Sequence, residues 1–179
     1  PNFGDVLAPI IFKYFLDIYP ILSDSPVKKK IIGIGSVLSA AKKGDIVWGS
    51  GCKKENMILN EVNFISVRGP LTKEHARNCG ADVKNCLIGD PAMLMPIMLP
   101  KEKLKYNKKS TFQIGIAAHI KDNLEWHKVN DTNIVKIDLK NFNWKKILEQ
   151  IVNSDVVLTS SLHVAIIADS YNIPVSVIQ

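Results

Sequence analysis

Short apolar runs alternate with amphipathic segments along most of the chain. Val6, Leu7, Ile10, Ile11, Tyr14, Phe15 and Ile18 recur at helical spacing, which predicts a helix with one buried stripe. Pro9 is then expected in its first turn, where a missing N–H does least harm. Ile31–Ile34, Ile46–Trp48, Phe64–Val67 and Cys86–Ile88 are brief apolar runs, each followed by Gly or Arg-Gly. They read as buried parallel strands that run into loops. Pro70 opens a helix expected to end at Gly80, the usual N-terminal Pro and C-terminal Gly punctuation.

From Pro100 to Thr111 the composition turns polar and Lys-rich, and residues 100–111 read as a linker. A second alternation follows. Phe112–Ala118 and Asn133–Ile137 read as strands, and Trp144, Ile147, Leu148, Ile151 and Val152 trace one face of a helix. Val156–Leu158 is a further strand, Leu162–Tyr171 an apolar helix closed by Asn172 and Pro174, and Val175–Ile178 a last strand. Strand–helix alternation implies parallel sheets flanked by helices, hence an α/β protein of two Rossmann-like parallel-sheet lobes, 1–99 and 112–179. No short-period repeat or low-complexity tract interrupts the pattern. The first helix follows Asn2-Phe3-Gly4-Asp5 with no strand before it, and the last strand has no covering helix. The expectation is therefore a chain truncated at both ends, with an incomplete second lobe.

Composition changes this picture little. Over 179 residues, 46% hydrophobic and 22% charged content is that of an ordinary globular protein. No apolar run approaches the roughly 18–20 residues that a membrane helix needs. Cys52, Cys79 and Cys86 are scattered without CxxC spacing, so reduced thiols are expected, with no disulfide framework or zinc site. Net charge is +6, much of it in Lys28-Lys29-Lys30 and the stretch from Lys101 to Lys109. That surplus suits anionic partners, such as a phosphorylated small molecule, a diphosphate-linked lipid or a membrane face, although a merely solvated surface has the same composition. No nucleic-acid-binding signature is present, and nucleic acid is not expected as a partner.

In open α/β sheets ligands bind beyond the carboxyl ends of the strands. Thr159-Ser160-Ser161-Leu162-His163 lies at such a place, where hydroxyls can cap the next helix and its N–H groups favour a phosphate or carboxylate. His163 falls in the first turn, beside that anion. The plain alternative is an ordinary N-cap with a structural histidine. Arg68, in Val67-Arg68-Gly69-Pro70, ends a strand where a helix starts, and its fork of donors suits a carboxylate or phosphate, or a simple ion pair. Glycine turns recur at Gly4, Gly33 and Gly35, Gly49 and Gly51, and Gly89. Gly33-x-Gly35 lacks the third glycine of a dinucleotide fingerprint, since Leu38 takes its place. Asp5 and Asp90 each follow a glycine and are candidates to orient sugar hydroxyls or act as a base, or are ordinary turn residues. His119 follows the strand ending at Ala118 and is a candidate loop residue, whereas His75 and His127 read as surface residues. Met93, Met95 and Met98 read as core filling.

Taken in order, these pieces resemble the polysaccharide pyruvyl transferase family. Asn2-Phe3-Gly4-Asp5 resembles its N-x-G-D loop, and Ile32–Ser36 and Val47–Gly51 resemble its two glycine loops. Val67–Thr72 resembles its arginine motif, Gly89-Asp90-Pro91-Ala92 the next turn, and Ile114–His119 the strand that opens its second lobe. Ser160-Ser161-Leu162-His163, with Asn172-Ile173-Pro174, resembles its S-x-L-H-G…G-x-P signature. Two glycines of that pattern are replaced, one by Val164, which would put bulk where backbone meets the donor, and one by Asn172, which also tolerates a left-handed conformation. The resemblance implies a GT-B-like pair of lobes with a crevice. It also implies phosphoenolpyruvate as donor with no other cofactor and no metal, and a sugar or lipid-linked glycan as acceptor. Separately, the reduced thiols point to a cytoplasmic protein, and the basic surplus allows peripheral contact at the inner membrane face. Catalytic roles fall to His163 and Asp5, and substrate binding to Arg68, Ser160, Ser161, Asn2, Gly4, Gly33, Gly35, Gly49, Gly51, Asp90 and His119. Arg68 and His163 are expected to grip one small dianion together. The alternatives are a GT-B nucleotide-sugar glycosyltransferase and a non-catalytic phosphate- or glycan-binding module.

Overall fold

A computed structural model describes residues 3–18, 29–53, 56–105, 112–119, 122, 128–141 and 143–178. The chain forms two compact units, one of residues Ala8–Pro91 and one of Ala92–Gln179 together with Pro1–Leu7.

In the first unit β1 (Ile31–Ile32), β2 (Ile46–Ser50), β3 (Asn63–Val67) and β4 (Leu87–Ile88) form a parallel sheet in sequential order. Its core joins Ile32, Val47 and Val67 of the strands to Leu38, Leu59, Val62, Ala76 and Val83. Each of the Val, Leu and Ile side chains contributes about 1.5–3 kcal/mol by leaving water. Helix α1 (Phe3–Leu16) lays Phe12 flat on Trp48, with ring centroids 5.2 Å apart, and Phe15 meets the same indole edge-on at 6.5 Å. This helix starts at Phe3, earlier than its apolar period suggests, because Phe3 is itself buried and Asp5 favours the positive helix end. Pro9 consequently lies in the helix interior, not its first turn, and withholds the N–H that would bond to the Asp5 carbonyl.

Helix α2 (Pro70–Asn78) has Pro70 at its first position and turns out of the helix at Gly80, whose φ is +88°. The Ala81 N–H bonds to the Ala76 carbonyl and that of Gly80 to Arg77, both at 3.0 Å, which satisfies the last carbonyls in a Schellman arrangement. His75 is half-buried, with its Nε2 3.7 Å from the Cys79 Sγ, and so is less of a surface residue than its polar neighbours suggest. His127 lies outside the described residues.

In the second unit β5 (Ile114–Ala117), β6 (Ile134–Lys136), β7 (Val156–Thr159) and β8 (Val175–Val177) form a parallel sheet ordered β6-β5-β7-β8. Helix α4 (Trp144–Asn153) buries Ile147, Leu148, Ile151 and Val152, the stripe its period predicts. Asn143 caps it, its side chain accepting the Lys146 N–H at 3.1 Å. Helix α5 (Leu162–Ser170) buries Val164, Ile167 and Ala168. In the same unit the short α3 (Met95–Met98) buries Met95, while Met93 is 52% exposed and so is not core filling. Part of the expected linker is ordered, as a 3-10 turn over Lys101–Lys103, and residues 106–111 lie outside the described residues.

One device recurs in both sheets. Asp45, just before β2, accepts the Lys30 and Lys42 N–H groups at 2.9 Å each, and is 3% exposed. Asp155, just before β7, accepts the Gln113 N–H at 2.8 Å. Lys30 and Gln113 each precede the neighbouring strand, β1 and β5, so each carboxylate sets the register at the start of a strand pair. Asp45-Ile46-Val47-Trp48-Gly49-Ser50 and Asp155-Val156-Val157-Leu158-Thr159-Ser160 are thus equivalent segments.

Candidate active site

The order β6-β5-β7-β8 makes the ends of β5 and β7 a topological switch point. The chain leaves β5 toward one side to form β6, then returns past it to form β7 and continues to β8. Loops from adjacent strands diverge there, which opens a crevice at their carboxyl ends. His119 follows β5 and Ser160 follows β7, and the His119 N–H bonds to the Ser160 Oγ at 2.8 Å. Asp122 joins them: its Oδ2 accepts the His119 N–H at 3.1 Å and a hydrogen bond from the Ser160 hydroxyl. Sequence reasoning passed over Asp122 because its loop carries no distinctive motif. Only the strand order brings it to Ser160.

The turn into α5 is tied from below. Thr159, fully buried, donates its hydroxyl to the Ala117 carbonyl at 2.6 Å and accepts the Ser161 N–H at 2.9 Å. Two expectations change here. Ser161 occupies the N-cap position without a side-chain cap bond, and its N–H is committed to Thr159. The Ser160 hydroxyl is likewise committed as a donor to Asp122. The helix mouth itself is the first turn of α5, Leu162 and His163, where the helix dipole favours an anion. Val164 is fully buried, so its bulk goes into the core of its unit and not to the mouth of α5.

The same unit brings the two ends of the sequence together at His163. Gly4, in the first turn of α1, lies directly under the imidazole: a Cβ there would come within 2.6 Å of Cε1 and 2.7 Å of Cγ. Only glycine permits this approach, so the opening motif and the histidine motif form one packed unit. The first turns of α1 and α5 therefore both adjoin His163, with exposed Asp5 next to Gly4. Asn2 lies outside the described residues.

In the other unit the loops after β1, β2 and β3 converge on Arg68. Its Nη2 donates to the Ser36 Oγ at 2.8 Å, its N–H bonds to the Ser50 carbonyl at 3.0 Å, and its guanidinium lies on the Gly51 backbone, where no Cβ would fit. Ser50 donates its hydroxyl to the Gly35 carbonyl at 3.2 Å, and the Gly51 N–H bonds to the same carbonyl at 2.8 Å. These contacts orient Arg68, half-exposed, at the carboxyl edge of its sheet. Gly33 and Gly49 are structural: the Phe12 ring fills the space beside Gly33, and Pro91 packs on Gly49, whose φ is +81°. Asp90 is buried, 4% exposed, at the turn after β4. Arg68 and His163 belong to different units, each with its own neighbours.

The cysteines are free, and burial pushes the Cys86 thiol up despite the opposing charge of Lys73, which leaves it a poor nucleophile.

With this geometry in place, the comparison with protein families is decisive: the sequence matches polysaccharide pyruvyl transferase over residues 2–179. The chain belongs to the polysaccharide pyruvyl transferase family. Among relatives, it is 25% identical over 152 residues to an uncharacterised protein of Acanthamoeba polyphaga mimivirus, covering 80% of this chain and 50% of that one. The chain thus spans about half the length of that relative. The crystal structure of an uncharacterised protein from Klebsiella pneumoniae superposes with a TM-score of 0.60 at 18% identity, covering 97% of this chain and 78% of that one. That likeness shows the fold shared by this polysaccharide pyruvyl transferase family member.

Proposed function

We propose that this protein transfers pyruvate from phosphoenolpyruvate to a sugar of a polysaccharide or glycan precursor, forming a ketal across two hydroxyls. Family membership supports the reaction class. The observation that carries the site assignment is the packing of Gly4 on the His163 imidazole at the first turns of two helices.

In this reading the first turn of α5 and His163 receive the donor phosphate, and Arg68, oriented by Ser36 and Gly51, is assigned an anion contact within its own unit. A proton added to the methylene carbon of phosphoenolpyruvate leaves an oxocarbenium-like centre at C2. One sugar hydroxyl attacks that carbon and loses its proton, the C2–O bond to phosphate breaks, and a second hydroxyl closes the ring and loses its proton. The products are one ketal and inorganic phosphate. His163 is assigned the proton transfer at the donor, and Asp5 the acceptor hydroxyl. The positive net charge suits a lipid-linked, diphosphate-bearing acceptor at the cytoplasmic face of a membrane.

Thermal stabilisation by phosphoenolpyruvate, inorganic phosphate and UDP-sugars tests the donor by mass action. The expected result is a shift with phosphoenolpyruvate well beyond that with phosphate. Stabilisation by a sugar nucleotide alone would identify a glycosyltransferase, and by phosphate alone a binding module. His163→Ala and Arg68→Ala are each expected to lower phosphate release at least about hundredfold; parental rates in both would sink the residue assignment.

A further inference from the structure

We propose that Asp122 is a positioning residue that holds the turn preceding α5, and through it His163, in the geometry that receives the donor. The inference rests on the function proposed above but has its own physical basis.

Equivalent serines close the two sheets in different ways. Ser50, the last residue of β2, donates to main-chain carbonyls, those of Gly35 and Gly51, and the Gly51 N–H also bonds to the Gly35 oxygen. Ser160, after β7, donates instead to the Asp122 carboxylate, while the His119 N–H is shared between Ser160 Oγ and Asp122 Oδ2. The first closure consists of backbone and needs no particular side chain as acceptor. The second depends on one side-chain oxygen at the switch point, that of Asp122, which holds Ser160 three residues before His163. Asp122 itself is exposed and is not assigned a contact with the reacting atoms; it acts through Ser160.

Because the task is to accept two hydrogen bonds, the amide oxygen of Asn can perform it and a methyl group cannot. In the full-length protein, Asp122→Ala is expected to raise the KM for phosphoenolpyruvate about tenfold with kcat within about threefold of parental, and Asp122→Asn to stay within about threefold in both. Ser160→Ala should reproduce Asp122→Ala. The double variant should be no worse than either single one, since both remove one shared interaction. The backbone amide resonance of His119 provides a readout independent of turnover: it should move in Asp122→Ala and Ser160→Ala and hold nearly still in Asp122→Asn. Equal loss of kcat in Asp122→Asn and Asp122→Ala would make Asp122 a reacting group and overturn the proposal, as would parental behaviour of Asp122→Ala in both assays. If the parental protein does not turn over phosphoenolpyruvate, the functional reading fails, and the His119 resonance still decides whether Asp122 positions this turn.

Discussion

The two sheets solve the same construction problem with the same parts, yet finish it differently. At the amino ends of their strands, Asp45 and Asp155 each fasten a neighbouring strand by its backbone N–H. At the far ends of their helices, α2 and α5 both unwind through a Schellman turn. Gly80 there has φ +88° and Asn172 φ +56°, and the Ile173 N–H bonds to the Ala168 carbonyl at 2.8 Å just as Ala81 bonds to Ala76. The carboxyl ends diverge. One sheet runs in sequential order and presents a cation, Arg68, braced by backbone and Ser36. The other reverses direction at β5 and β7 and presents His163 with a hydroxyl–carboxylate pair beside it. Shared devices therefore belong to folding, and the differences concentrate where strand order opens a crevice.

The largest test of this division removes the shared carboxylates. Asp45→Ala strands two N–H groups beside a buried site and is expected to cost about 3 kcal/mol, and Asp155→Ala about 1.5 kcal/mol, in urea unfolding. A reversed order would show that the two segments are not equivalent. Next come the two glycines that lie against functional side chains. Gly4→Ala must displace a ring packed in place and should lower kcat/KM about hundredfold. Gly51→Ala displaces the guanidinium end of Arg68 from its seat, and the long side chain can take up part of the shift, so about tenfold is expected. Equal losses would mean that Arg68 is as rigidly held as His163.

A smaller effect sharpens the contrast in stability. Tyr171, in the second unit only, donates its hydroxyl to the Leu99 carbonyl at 2.6 Å, and burial pushes its phenol up to about 12. The neutral form is the one the fold favours, so its contribution is complete below the ordinary value near 10 and is lost as pH rises toward 12. Tyr171→Phe should cost about 1 kcal/mol at neutral pH and flatten the fall in stability above pH 10, as followed by urea unfolding across that range. The smallest test exchanges the helix ends. Asn172→Gly should stabilise by about 0.5 kcal/mol, because glycine adopts positive φ without strain. The reverse change, Gly80→Asn, should destabilise by more than that, because the Asn60 side chain occupies the space a Cβ needs.

Much of this was legible in advance. The buried stripe of α4, the Pro70 and Gly80 ends of α2, the left-handed Asn172 and the alternation that makes two parallel sheets all follow from spacing and local chemistry. Site residues were legible as types in sequence order, since Arg68, His119, Ser160 and His163 each follow or open an element as expected. Their partnerships were not. Gly33 looked like a loop glycine and instead accommodates Phe12, Ser161 looked like a helix cap and instead gives its N–H to Thr159, and Asp122 had no motif to mark it.

By itself, then, the amino-acid order determined which segments become strands and helices, where they stop and which family they belong to, because those depend on side-chain periodicity and on backbone preferences within a few residues. Tertiary structure alone decided that β7 lies beside β5, that Gly4 supports the ring of His163, and that Asp122 holds Ser160. Such pairings join residues far apart along the chain, and no local preference records them; they arise when buried strands choose neighbours.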